Sequence, residues 1–191
     1  SYLWSNLATS SSLTGLAAGT YSVQVTDSNG CIVNDSGVVG QPVGLTSSIL
    51  AAAVSCFGGS TGSADLTVSG GRIPYTFLWN NLGLSTTEDV STLSANTYTV
   101  VITDSCGSSI IDSVVISEPA LLVISITSTN VSCFGGGDGT ATATPSGGTS
   151  PYNYMWNNGQ TTSTAVGLFP GLQAVNVFDV NSCIASNNIT I

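Results

Sequence analysis

Val54-Ser55-Cys56-Phe57-Gly58-Gly59 occurs twice in this chain, returning as Val131-Ser132-Cys133-Phe134-Gly135-Gly136. The residues after each copy match as well. Gly70-Gly71 returns as Gly147-Gly148, Pro74-Tyr75 as Pro151-Tyr152, and Trp79-Asn80-Asn81 as Trp156-Asn157-Asn158, all at one interval. A third tryptophan, Trp4, precedes Trp79 by nearly the interval that separates Trp79 from Trp156. Self-similarity at a fixed period is the mark of an array, so each unit of roughly 75 residues is read as one structural element of a tandem series.

Inside each unit the apolar residues alternate with polar ones, the period of a half-buried strand. Tyr21, Val23 and Val25 alternate with Ser22, Gln24 and Thr26 before Asp27 and the turn Ser28-Asn29-Gly30. The same strand returns as Tyr98, Val100, Ile102 ending at Asp104, and as Gln173, Val175, Val177 ending at Asp179. Cys106 follows Asp104 by two residues, whereas Cys31 and Cys183 follow their aspartates by four; this reads as a shortened turn. Leu16, Gly19, Tyr21 and Leu93, Asn96, Tyr98 have the spacing of a tyrosine corner, in which the hydroxyl bonds nearby backbone. Gln173 replaces that tyrosine, so the third unit is expected to lack the bond. Tyr75, Phe77 and Trp79 share one face of a further strand, as do Tyr152, Tyr154 and Trp156. Tryptophan packed on an inter-sheet disulfide is the core of immunoglobulin domains. The expected fold is all-β, a series of immunoglobulin-like β-sandwiches.

Gly40-Gln41-Pro42 and Ser117-Glu118-Pro119, separated by the same interval as the other matched segments, mark the joints. Residues 1–42 are then the C-terminal half of a unit, and 43–119 and 120–191 are complete units. Proline restricts itself and the residue before it, so short joints with one proline predict a semi-rigid rod. The half unit is expected to expose Trp4, Tyr21, Val23 and Val25, and to need completion by upstream sequence or by a donor strand from a neighbouring chain.

The interval from Cys56 to Cys106 equals that from Cys133 to Cys183. The identical spacing predicts two disulfides, each within one unit, and leaves Cys31 to pair with a cysteine outside this window. Disulfides belong to oxidising, extracytoplasmic compartments. The charge balance is one-sided: Arg72 is the single basic residue, there is no Lys or His, and ten acidic residues give a net charge of −9. Nucleic acid and anionic lipid both require basic patches, so neither is an expected partner. Apolar runs such as Ala120 to Ile124 are too short to span a bilayer.

The ordered set Val-Ser-Cys-Phe-Gly-Gly, Gly-Gly-x-x-Pro-Tyr-x-x-x-Trp-Asn and Gly-Thr-Tyr-x-Val-x-Val-Thr-Asp-x-Asn-Gly-Cys resembles the SprB repeat of giant cell-surface adhesins of gliding Bacteroidota. It also resembles PKD-type domains, which share the Tyr-x-Val-x-Val strand. The SprB resemblance implies an extracellular filament on the cell surface, exported by the type IX route, that grips a substratum and serves attachment and gliding. Its implied partners are further repeats of the same polypeptide, neighbouring filament chains, and surface polysaccharide or substratum.

Enzymatic constellations are nearly absent. Without His or Lys there is no catalytic triad, Schiff-base lysine or phosphate-loop lysine; only the adjacent carboxylates Glu88-Asp89 remain. No cofactor is implied. Calcium, which takes six to eight oxygen ligands, has candidates in Asp27, Asp104, Asp179 and Asp138, although an aspartate that accepts the N–H groups of its own turn is the simpler account. Each Trp is either a core residue or a sugar-stacking platform. A platform would favour the alternative function, a carbohydrate-binding accessory array of a secreted enzyme, and exposure of Trp79 discriminates between the two. Ser113, in Asp112-Ser113-Val114, fits an O-glycosylation pattern that the family resemblance makes relevant.

Overall fold

The computed structural model describes residues 1–80 and 83–191; Asn81 of the repeated Trp-Asn-Asn lies outside them. All regular structure among the described residues is extended. The first unit holds β1 (Tyr2–Trp4), β2 (Gly19–Thr26) and β3 (Ile32–Val39). The second holds β4 (Thr46–Ala52), β5 (Gly62–Ser69), β6 (Thr76–Trp79), β7 (Val90–Leu93), β8 (Asn96–Thr103) and β9 (Ser109–Ile116). The third repeats that order with β10 (Val123–Thr129), β11 (Gly139–Ser146), β12 (Asn153–Trp156), β13 (Thr164–Leu168), β14 (Leu172–Phe178) and β15 (Ile184–Thr190).

Each complete unit is a sandwich of two three-stranded antiparallel sheets. In the second unit these are β4-β5-β7 and β6-β8-β9, and in the third β10-β11-β13 and β12-β14-β15. The immunoglobulin-like fold follows from the alternation. Along β8, Tyr98, Val100 and Ile102 are buried while the residues between them are half-buried. Trp79, fully enclosed, meets them from β6, and Ala64, Leu66, Val90 and Leu93 close the core from the facing sheet. The third unit builds the same core from Trp156, Val175 and Val177 against Ala141, Ala143, Ala165 and Leu168. Each fully buried aliphatic side chain of this kind is worth about 1.5–3 kcal/mol.

The tyrosine corners form: the Tyr21 hydroxyl donates to the Ala17 carbonyl and the Tyr98 hydroxyl to the Ser94 carbonyl, both at 3.1 Å. The expectation for the third unit needs correcting. Gln173 Nε2 donates to the Phe169 carbonyl, also four residues back, at 3.4 Å. A primary amide reaches the same acceptor that a phenol would.

The turn after β8 is not shortened. Asp27 N–H donates to Cys31 O, Asp104 N–H to Ser108 O and Asp179 N–H to Cys183 O, so all three turns close over four residues. The next strand starts five residues after the aspartate in every unit. Cys106 instead occupies the place of Asn29 and Asn181, two residues earlier in a turn of equal length.

Gly70 takes a positive φ of 74° and lies so close to the Gly44 carbonyl that a β-carbon would collide with it. Gly71 N–H then donates to Val43 O. The Gly-Gly pair thus pins the incoming joint to the end of β5. The first unit has a single sheet, β1-β2-β3, and Trp4, Tyr21 and Val23 border an open groove of about 320 Å³.

Candidate functional site

The two ends of a unit differ. The Cys56 loop sits beside the C-terminal end of β9: Val54 N–H donates to Ser117 O at 2.8 Å, and Gly58 N–H to a Glu118 carboxylate oxygen at 2.6 Å. Cys106 lies before the start of β9, at the end where Ser105 N–H donates to Arg72 O. An eight-residue strand spans about 27 Å, and a disulfide needs Cα atoms about 4.4–6.8 Å apart. Cys56 and Cys106 therefore cannot meet. Cys133 and Cys183 are separated by β15 in the same way.

The expected pairings Cys56–Cys106 and Cys133–Cys183 are corrected accordingly. The bond joins Cys56 to Cys183, across the joint between the second and third units, with Cα atoms 5.7 Å apart. Cys31, Cys106 and Cys133 are free, exposed thiols. Head-to-tail succession brings the far end of one unit against the near end of the next. Asn181 Nδ2 adds a bond across this joint to Ser55 O at 3.1 Å. Phe57, Pro119, Leu121 and Ile184 line a groove of about 310 Å³ beside the disulfide. The Asn181–Ser55 pair carried no signal in the sequence, because its bond exists only once two units are placed end to end; Glu118 was legible as part of a joint, but its bond to Gly58 N–H was not.

The aspartates serve their turns. Asp27 Oδ1 accepts the N–H groups of Asn29 and Cys31, both at 2.8 Å. Asp104 Oδ1 accepts those of Cys106 and Ser108, and its Oδ2 that of Arg72. Asp179 does the same with Asn181, Cys183 and Thr149. Burial works to raise the Asp104 carboxyl, but backbone donors from Ser108, Cys106, Arg72 and Gly107 outweigh it and hold it below the ordinary carboxylate value. Asp138 is lowered by the Ser132 hydroxyl and backbone N–H, with burial opposing. Among the described residues no three of His, Cys, Asp and Glu gather as a ligand set.

Trp79 and Trp156 present no stacking face; they are 0% and 2% exposed. Their indole N–H groups donate inward, to Thr87 O and Thr162 O respectively. The sugar-platform alternative loses its discriminating observation. Asp89 does not pair with Glu88 as an acid–base couple: its Oδ1 accepts Leu66 N–H at 2.9 Å and anchors the edge of β5. Ser113 is exposed on β9 and its N–H is held by Asp112 Oδ1.

The SprB repeat family matches residues 53–84 and 125–161. Two segments of the chain are similar to the SprB repeat. Each matched segment runs from the first cysteine loop, at Cys56 or Cys133, through the tryptophan strand, and stops short of Cys106 or Cys183. The two matched segments thus share the half that bears the far-end cysteine. No curated protein matches the chain. Among solved structures, the N-terminal eight immunoglobulin domains of Down syndrome cell adhesion molecule align at 14% identity and TM-score 0.41, covering 91% of this chain and 26% of that one. Drosophila OTK extracellular domains 3–5 align at 12% identity and TM-score 0.33, covering 91% and 70%. A tetra-tandem repeat from the extending region of a large adhesion protein aligns at 15% identity and TM-score 0.28, covering 92% and 56%. The chain spans about a quarter of the length of the first of these.

Proposed function

We propose that this chain is a force-transmitting segment of an extracellular adhesin stalk on a bacterial surface, serving attachment and gliding. Its role is mechanical, and no catalytic step is assigned to it. The observation that carries the reading is the joint. A disulfide and the Asn181–Ser55 hydrogen bond join consecutive units, and one proline with the Gly58–Glu118 bond holds the connecting segment, where a flexible linker would let the units swing. Stapling the joint, rather than the core, suits a rod that transmits force. The SprB repeat matches support a surface location, and a disulfide fits an oxidising compartment.

The test is immunogold labelling of intact producing cells with an antibody raised against residues 43–191. The proposal expects label along surface fibres, and expects the same antibody to reduce attachment. Label that appears only after permeabilisation would contradict it.

A further inference from the structure

The same short motif has different surroundings in its two copies. In Val54-Ser55-Cys56-Phe57, Val54 is 2% exposed, Ser55 and Cys56 are half-buried, Phe57 is 52% exposed and Cys56 is bonded. In Val131-Ser132-Cys133-Phe134, Val131 is half-buried, Ser132 and Cys133 are exposed, and Phe134 is 108% exposed. The two loops have one conformation. Gly59 N–H donates to Cys56 O at 3.0 Å and Gly136 N–H to Cys133 O at 2.9 Å. Ser55 N–H is held by Thr61 Oγ1 and Ser132 N–H by Asp138 Oδ1, the residue at the matching place. Among the described residues, the Cys56 loop faces a succeeding unit and the Cys133 loop faces none.

We infer that the Val131–Asp138 loop is a docking and cross-linking surface for a further unit of this same fold, whose turn cysteine bonds Cys133 as Cys183 bonds Cys56. The occupant is fixed by continuity with the existing joint. The element seated on Cys56 and Phe57 is the turn after the Asp179 strand, held open by the carboxylate so that positions 181 and 183 face the preceding loop. The equivalent turns of the other units carry Cys31 and Cys106. Cys31, Cys56, Cys133 and Cys183 then follow one rule, far-end cysteine of one unit to turn cysteine of the next, with Cys106 in the same turn but two places earlier; the three free thiols are those without such a partner within residues 1–191. Bond formation removes two protons and two electrons from the paired thiols; a disulfide oxidant such as oxidised glutathione takes them up and leaves as two thiols.

This rests on reading the chain as a segment of an array, but its test is separate from surface labelling, which would fail without affecting it. Residues 1–191 are followed directly by a second copy of residues 117–191, so that Ile191 takes the place of Ile116, and the copy carries Cys133→Ser. The chain is oxidised in glutathione buffer, alkylated and mapped with pepsin. The expected map joins both Cys56 and Cys133 to peptides of the Cys183 sequence, leaves only Cys31 and Cys106 alkylated, and protects the Phe134 loop from hydrogen exchange. A second extension appends residues 40–116 instead, with Cys56→Ser in the copy and Cys106→Ser in the original unit; it offers the displaced Cys106 as the partner. A bond from Cys133 to the appended turn in either chain supports the inference. Cys133 recovered alkylated in both, or bonded within its own unit, overturns it.

Discussion

Cys56 and Cys183 are 127 residues apart in sequence and belong to different sandwiches, yet their Cα atoms lie 5.7 Å from each other. The sulfur bridge is therefore outside both cores. In an immunoglobulin domain the disulfide spans the two sheets behind the tryptophan; here Trp79 and Trp156 are enclosed by aliphatic and aromatic side chains, with no disulfide in either core.

Removing the bridge should cost little within a unit. Cys183→Ser is expected to leave the thermal transitions of the two complete units within a few degrees of the parent, because neither core loses an atom. The bond instead restricts how the units sit, so its loss should broaden the distance between spin labels placed on β5 and β11. Calorimetry and distance measurements check the two halves of this statement. A chain that no longer folds without the bridge would contradict it.

Trp79→Ala, by contrast, removes the largest enclosed side chain of the second unit and should destabilise that unit by about 3–5 kcal/mol. The third unit has its own core around Trp156, so its urea transition should be unchanged. A single shared transition that moves as a whole would show that the units are not independently cooperative.

Gln173 and Tyr98 do the same job by different chemistry, each donating to a carbonyl four residues back. Tyr98→Phe and Gln173→Leu should each cost about 1 kcal/mol in their own unit, the net worth of one hydrogen bond. Urea titration of the two variants is the measurement. No cost at position 173 would mean that the longer bond, 3.4 Å, contributes nothing.

Asp104 makes the second unit acid-sensitive. Its folded-state carboxyl sits below the ordinary value of 3.8, so the unfolded chain binds the proton more readily. The contribution is fully present above pH 3.8 and is lost as the pH falls from there through the lowered folded value. The urea midpoint of the second unit should be flat near neutrality and drop below about pH 4, and Asp104→Asn should flatten that drop while lowering the neutral plateau. An unchanged acid limb in the variant would assign the acid sensitivity to other groups.

Trypsin has one site in the chain, after Arg72. The carbonyl of that bond accepts both the N–H and the hydroxyl of Ser105, at 2.9 and 3.1 Å. The folded chain should resist cleavage, and Ser105→Ala should be cut several-fold faster at the same position. Equal rates would show that the Ser105 hydroxyl does not protect the site.

The fold was legible because its determinants are local. Alternation along Tyr98–Ile102 and the Gly, Asn and Asp of the turns specify strands and their ends without reference to distant residues. The pairing of cysteines was not, and the reason is a coincidence of two shifts. The connection from Trp79 to Tyr98 is two positions longer than the one from Trp156 to Gln173. Cys106 stands two places earlier in its turn than Cys183 does. The displacements cancel, and two cysteines at opposite ends of a sandwich acquire the same spacing in both units. Spacing along a chain carries no information about which end of a strand a residue occupies. The role of Asp104 as a turn cap was legible from its place after the strand, but its bond to Arg72 N–H, which ties two loops together, was not.

Covalent joining of the units end to end is read out by non-reducing peptide mapping of the alkylated native chain. For a chain of residues 1–191 alone one linked pair is expected, Cys56 with Cys183, together with alkylated Cys31, Cys106 and Cys133. Recovery of Cys56 bonded to Cys106 and of Cys133 bonded to Cys183 would contradict an end-to-end staple.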